Sequence, residues 1–166
     1  MTGKVRKVVG IFLTALLAVV LGAAPAQAAT SNATQHSKAA KADYTYRLIW
    51  HKMEGQCLDS DGHDLYLNPC NGDNRFQHWR IAPARNGVNI IHRLTGNCLA
   101  RGGGDSVFMV GAYCGAEYAQ WYIDYPNIIS VADGACLDGA GNDVYALPCT
   151  PNNPYQRYSP VPTNWW

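Results

Sequence analysis

The chain repeats one pattern three times. The first copy runs Gly55-Gln56-Cys57-Leu58-Asp59, then Leu65-Tyr66-Leu67-Asn68-Pro69-Cys70, and closes on Gln77-His78-Trp79. The second runs Gly96-Asn97-Cys98-Leu99-Ala100, then Val107-Phe108-Met109 and Cys114, and closes on Ala119-Gln120-Trp121. The third runs Gly134-Ala135-Cys136-Leu137-Asp138, then Val144-Tyr145-Ala146-Leu147-Pro148-Cys149, and closes on Gln156-Arg157-Tyr158. The first cysteines stand 41 and 38 residues apart (98−57, 136−98), and the closing aromatics 42 and 37 apart (121−79, 158−121). A period near forty with three matched landmarks means three copies of one supersecondary unit. A single copy cannot bury its own apolar face, so the copies must close around a shared core.

Within each copy, short apolar runs alternate with turn punctuation. Tyr44 to Trp50 alternates and is rich in aromatics, and Val88–Ile91 and Ile128–Val131 are β-branched, as strands are. Asp61-Gly62, Asn71-Gly72, Asn86-Gly87, Asp133-Gly134 and Gly141-Asn142 break the runs. No stretch of the mature region carries apolar residues at helical spacing over a helix length. The expectation is all-β, four short strands per repeat and twelve in all. Closing them into a barrel also removes exposed sheet edges. The prolines of Pro160-Val161-Pro162 argue against an interior strand there, and Trp165-Trp166 is expected to dock on the domain.

The first 28 residues read as a signal peptide: Lys4, Arg6 and Lys7, an uncharged run from Val8 to Leu21, then Ala26-Gln27-Ala28. The run of 14 residues falls short of the roughly 20 that a spanning helix needs. Residues 29–43 read as a polar, disordered leader, and the domain as 44–166, with repeats at about 44–83, 84–124 and 125–160 and a tail at 161–166. Removing residues 1–28 takes away three positive charges and no negative ones, so the formal +1 becomes −2. Such a chain has no electrostatic reason to seek nucleic acid, and no membrane insertion is implied. An exported chain with six cysteines, two per repeat, implies disulfides, most simply Cys57–Cys70, Cys98–Cys114 and Cys136–Cys149. A zinc site lacks its spacing, because there is no Cys-x-x-Cys and no histidine pair.

Three forty-residue repeats, each with Gly-x-Cys-Leu and a closing Gln-x-aromatic, resemble the ricin B-type β-trefoil lectins. The resemblance covers about Tyr44 to Pro160. It implies a pseudo-threefold barrel of six strands capped by three hairpins, with up to one shallow sugar pocket per repeat. A galactose-type pocket of that family takes an acid just after Cys-Leu and an aromatic two residues before the second cysteine. An Asn and the Gln of the triplet complete it. The first repeat keeps Asp59 and Gln77, with Asn68 at the stacking position and Phe76 at the Asn position. The third keeps Asp138 and Gln156, with Leu147 and Tyr155 at those positions. The second has Ala100, Ala112 and Ala119, so its pocket is read as dead.

Tyr66 and Tyr145 lie two residues before the vacant stacking positions, on the same strand face, and offer a displaced stacking platform. The competing reading makes Tyr66, Phe108 and Tyr145 core or cap residues, since they recur in all three copies. Asp59 and Asp138 have an alternative too, as acceptors for turn backbone. The glutamines read as structural more than ligand-contacting, and Trp79, Trp121 and Tyr158 as core.

Asp59 to Asp64 has the acidic density of a calcium loop but departs from the EF-hand pattern and has no glutamate at its twelfth place. The five histidines are scattered, with His78 expected to face solvent. No Gly-x-Ser-x-Gly, His-Glu-x-x-His or phosphate-binding loop occurs, and no cofactor is implied. The expectation is a secreted, non-enzymatic lectin-like module that binds glycans (galactose-type or polysaccharide) weakly, with room for multivalency through repeats 1 and 3. The candidate residues are Asp59, Tyr66, Asn68, Gln77, Asp138, Tyr145 and Gln156. The alternative is a trefoil that has lost sugar binding and acts on a protein partner, as an inhibitor, toxin-associated subunit or envelope-binding factor.

Overall fold

The computed structural model describes residues 45–111 and 113–166. The signal peptide and leader expected at 1–43 lie outside them, as does Ala112.

Twelve strands follow one another: β1 (Tyr46–His51), β2 (Gln56–Ser60), β3 (Leu65–Pro69), β4 (Trp79–Ala84), β5 (Gly87–His92), β6 (Cys98–Arg101), β7 (Val107–Val110), β8 (Trp121–Asp124), β9 (Asn127–Ser130), β10 (Ala135–Ala140), β11 (Asp143–Pro148) and β12 (Tyr158–Pro162). A single 3₁₀ turn precedes β4, β8 and β12, at Arg75–Gln77, Glu117–Ala119 and Pro154–Gln156. Every pairing is antiparallel. β12 pairs β1, β1 pairs β4, β4 pairs β5, β5 pairs β8 and β8 pairs β9. Tyr158 N–H donates to the Pro126 carbonyl at 2.8 Å, which brings β12 back to β9 and closes a six-stranded ring. The hairpins β2–β3, β6–β7 and β10–β11 cap it. This is a β-trefoil.

The core shows why three copies suffice where one would not. Ile49, Ile90 and Ile128, then Leu58, Leu99 and Leu137, then Trp79, Trp121 and Tyr158 meet in one buried cluster, each trio taking one residue from each repeat. All nine are essentially inaccessible to solvent. Each buried Leu or Ile of this kind stabilises the fold by roughly 1.5–3 kcal/mol relative to exposure. Trp79 Nε1 donates to the Leu58 carbonyl and Trp121 Nε1 to the Leu99 carbonyl, both at 2.9 Å. Tyr158 takes the indole's place in the third copy. Its hydroxyl lies against Gly139, where an added Cβ would come within 2.6 Å of it. Glycine leaves the room the phenol needs.

The disulfides form as the repeat pattern predicts, Cys57–Cys70, Cys98–Cys114 and Cys136–Cys149, with Cα separations of 4.9, 5.6 and 5.0 Å. Each staples the open end of one capping hairpin. Closing a loop of this size contributes on the order of 3 kcal/mol in the chain-entropy account.

The C-terminal prolines argue against an interior strand, and they lie in a strand at the end of the strand order. Pro160 and Pro162 lie inside β12, opposite Ile49 and Arg47. They are two residues apart and so face the same way. Among the described residues β12 pairs along its length with β1 alone, its tie to β9 being the single Tyr158–Pro126 bond, so the missing N–H groups cost the ladder nothing. The tail proper is Thr163–Trp166. It packs over Gly72 and sets Trp166 against Trp50, with ring centroids 6.4 Å apart, while Trp165 stays 65% exposed.

Candidate functional site

Asp59 sits on β2 directly opposite Tyr66 on β3, and Asp138 on β10 directly opposite Tyr145 on β11. Each acid therefore shares a face with its tyrosine, as the strand period requires. Both aspartates are only 2% exposed. Buried acids need partners, and Asp59 has three. Its Oδ2 accepts from Asn68 Nδ2 at 3.2 Å, Asn74 Nδ2 at 3.1 Å and Gln77 Nε2 at 3.0 Å. All three are side-chain amides. The other oxygen, Oδ1, is buried with no hydrogen-bond partner.

Gln77 braces the loop as well. Its Nε2 also donates to the Pro69 carbonyl at 3.0 Å, and its Oε1 accepts from Asn71 N–H at 2.9 Å. Asn74 caps the 3₁₀ turn, its Oδ1 accepting from Phe76 N–H at 3.1 Å. The third copy repeats these bonds. Asn153 Nδ2 donates to Asp138 Oδ2 at 3.3 Å and its Oδ1 accepts from Tyr155 N–H at 3.0 Å. Gln156 Nε2 donates to the Pro148 carbonyl at 3.1 Å and its Oε1 accepts from Thr150 N–H at 2.9 Å. Leu147 stands where Asn68 stands in the first copy, so Asp138 lacks that amide and faces Tyr145 across the strand pair. Burial pushes the Tyr145 and Tyr66 hydroxyls up, and the facing aspartate adds to the shift in each case. Phe76 and Tyr155, 45% and 36% exposed, stand beside the two acids on the 3₁₀ turns.

In the second copy the positions equivalent to the acid and the triplet glutamine are apolar. Ala100 and Ala119 are fully buried in a cluster with Phe108, Val110 and Tyr118. Ala116 heads its turn with no side-chain cap. This copy has no acid at that place, and its amides brace the loop from other positions: Asn89 Nδ2 donates to the Cys114 and Ala119 carbonyls, and Gln120 bonds Asn86 N–H and the Gly115 carbonyl.

Two kinds of residue belong to these sites that the sequence reading passed over. The amide partner is not the residue just before the glutamine but the one three before it. Asn74 and Asn153 hold that place, and Ala116 holds it in the second copy. The second kind is histidine. Strands β1, β5 and β9 end on His51, His92 and Ser130, which pair with Tyr158, Trp79 and Trp121 respectively. His51 Nε2 donates to the Tyr155 carbonyl at 2.9 Å, holding the turn that carries Asn153 and Gln156. His92 faces the Phe76 carbonyl, the equivalent group, without closing a full hydrogen bond. Burial lowers both imidazoles, partly offset by those carbonyls and by nearby carboxylates. Each acid therefore comes with an Asn, a Gln and a His. Where the acid is Ala100, the others are Ala116, Ala119 and Ser130.

His78, expected in solvent, is 5% exposed. Its Nε2 donates to the Gly72 carbonyl at 2.8 Å and its Nδ1 accepts from Arg93 at 2.7 Å, so both ring nitrogens are engaged. In the acidic turn, Asp61 Oδ1 accepts from His63 and Asp64 N–H at 2.8 and 2.9 Å, and these bonds lower its carboxyl. Among the described residues no group of three His, Cys, Asp or Glu side chains is placed to hold a metal ion, and no helix is long and apolar enough to cross a membrane.

The model of the ricin-type β-trefoil lectin domain family matches residues 53–158. The chain belongs to this family. It is thereby a module of a carbohydrate-binding class, and the match spans all three copies of the repeat. Among solved structures, the lectin domain is similar to a designed threefold-symmetric protein, ThreeFoil. The TM-score is 0.60 at 18% identity, covering 70% of this chain and 98% of that one. It is also similar to a non-toxic homologue of type II RIPs from Momordica charantia in complex with α-methyl-D-galactoside. There the TM-score is 0.60 at 15% identity, covering 70% of this chain and 47% of that one. The cytolethal distending toxin of Haemophilus ducreyi matches at TM-score 0.58 and 15% identity, covering 71% and 83%. At these identities the likeness is one of fold. No curated protein matches this lectin domain by sequence.

Proposed function

We propose that the chain is an exported, non-catalytic lectin that binds galactose-type sugars or polysaccharide weakly through the pockets of repeats 1 and 3. Asp59 and Asp138 accept sugar hydroxyls, and Tyr66 and Tyr145 stack on the ring beside Phe76 and Tyr155. Asn68, Asn74, Gln77 and Asn153 hold the acids in place, and Gln156 braces the loop beside Asp138. One observation carries the reading. A polar network of acid, Asn, Gln and His occupies the first and third copies, fuller in the first, and Ala100, Ala116, Ala119 and Ser130 replace those four residues in the second. The second copy has the same strands, core and disulfide without it, so the fold does not require the network. Burying two acids costs free energy that a fold with no use for them would shed. Asp59 Oδ1, buried and without a partner, is an acceptor waiting for a hydroxyl. Two shallow sites on one chain favour polymeric glycan, where the second contact is intramolecular.

The low exposure of both aspartates favours the rival, a trefoil acting by protein contact. Asp59→Asn with Asp138→Asn separates the two. The lectin reading expects retention on immobilised galactan to be lost while the disulfides and the melting transition persist. Full retention by the folded double variant would sink it, and capture of a protein partner unaffected by the substitutions would establish the rival.

A further inference from the structure

A cleft of about 410 Å³ lies beside the third pocket and not in it. Pro126, Asn127, Thr150, Asn152, Asn153 and Arg157 line it, along with Pro151 and Cys149. The lining carries several amides, a hydroxyl and one guanidinium, and no carboxylate. Arg101 is bound to Asp133 at 3.0 Å, whereas Arg157 pairs with no carboxylate among the described residues. Asn153 belongs to both places: it lines the cleft and its Nδ2 reaches Asp138 Oδ2 at 3.3 Å.

No other repeat offers this space. Nine residues separate Cys149 from Tyr158, and nine separate Cys70 from Trp79, but only seven separate Cys114 from Trp121 (158−149, 79−70, 121−114). The second loop is thus two residues too short to form the wall. The first has the length, but Gly72 stands there where Pro151 stands in the third. A Cβ on Gly72 would lie 2.0 Å from the Thr163 carbonyl oxygen and 2.9 Å from that of Trp166. The chain's own C-terminus occupies that position. Among the described residues, the third repeat leaves this space to a ligand.

We propose that this cleft is a subsite for an acidic sugar, a uronic or related carboxylated residue, joined to the sugar held over Asp138. Arg157 takes the carboxylate, and the amides of Asn127, Asn152 and Asn153 take hydroxyls. Arginine suits this task, because its planar fork matches a carboxylate and its charge never titrates away. The proposal rests on the lectin reading for the neighbouring pocket, and its test keeps the two apart.

The experiment measures binding of the oxidised protein to oligogalacturonate and to its carboxyl-reduced counterpart, a neutral galactose oligomer, at low and high salt. The acidic oligomer should bind about tenfold tighter, as one charge-assisted contact allows. The preference should shrink at high salt and vanish in Arg157→Gln with the melting transition unchanged. Equal binding of the two oligomers, or a preference that survives Arg157→Gln, overturns the subsite. If Asp138→Asn then abolishes that equal binding, the pocket stands without it. If instead Asp138→Asn still holds the acidic oligomer and Arg157→Gln releases it, the subsite stands and the pocket reading fails at this repeat. A folded protein that holds neither oligomer overturns both.

Discussion

Replacing Gln77 by alanine tests whether the triplet glutamine is a brace of measurable strength. Its side chain is 1% exposed and makes three hydrogen bonds, one to the Asp59 carboxylate. A bond to a charged group contributes about 1.5–3 kcal/mol, and each of the two backbone bonds about 0.5–1.5. The expected loss is therefore about 2.5–6 kcal/mol, before the small cavity is counted. Gln156 makes the two backbone bonds and none to Asp138, so Gln156→Ala should cost only about 1–3 kcal/mol. The comparison is sharper than either value, because backbone, burial and loop length match in the two copies. Urea unfolding of the oxidised protein at neutral pH, with the slope checked for constancy, reads the difference. Equal losses for the two variants, or a Gln77→Ala loss under about 1 kcal/mol, would refute the claim that the amide–carboxylate bond holds the first pocket.

Two further outcomes follow from burial and from close approach. His51 and His92 have folded-state values lowered from the ordinary imidazole value of about 6.5. The unfolded chain therefore binds the proton more readily, and the stability their neutrality contributes is complete above about pH 6.5 and lost as pH falls below it. Urea midpoints should drop between pH 7 and pH 5, above the carboxylate range, and the drop should be smaller in His51→Gln with His92→Gln; a flat profile would remove the histidines from the account. Gly72→Ala should drive the Thr163–Trp166 tail off its seat, since backbone oxygens cannot yield as a flexible side chain would. Tryptophan emission should shift to the red, carboxypeptidase should trim the tail faster, and stability should fall by about 1–3 kcal/mol; wild-type trimming rates would show that the tail is not seated there.

Fold and site differed in how far they could be read from the residues. Three copies of Cys-Leu and of a closing aromatic suffice for the trefoil, because both are core positions and core positions recur with the repeat. The strands and disulfides followed for the same reason. The site was only half legible. Asp59, Gln77, Asp138 and Gln156 stand at the places the family pattern gives them. Asn74 and Asn153 do not, and they escape notice unless Asn-x-x-Gln-x-aromatic is read as the unit. His51 and His92 looked scattered, yet they stand 41 residues apart, the same interval as Cys57 and Cys98. Their partners lie in an adjoining strand across the ring, so no local motif announces them. His78 misled for a related reason: the middle of the triplet is solvent-facing only when nothing packs on it, and here Gly72 and Arg93 do. Pro160 and Pro162 argued against an interior strand, and β12 is a terminal one; that a strand runs through both was not legible, because sequence does not reveal which side of a strand lacks a neighbour.

The alanine-filled second copy carries a lesson about how such a chain changes over generations. It shows the same architecture tolerating an acid, an asparagine, a glutamine and a histidine exchanged for small residues, with the barrel intact. Pocket number is then a quantity that point substitutions can lower without endangering the molecule. Raising it again requires four changes that are worth little until all are present. A gene of this kind gives up a site easily and regains one with difficulty.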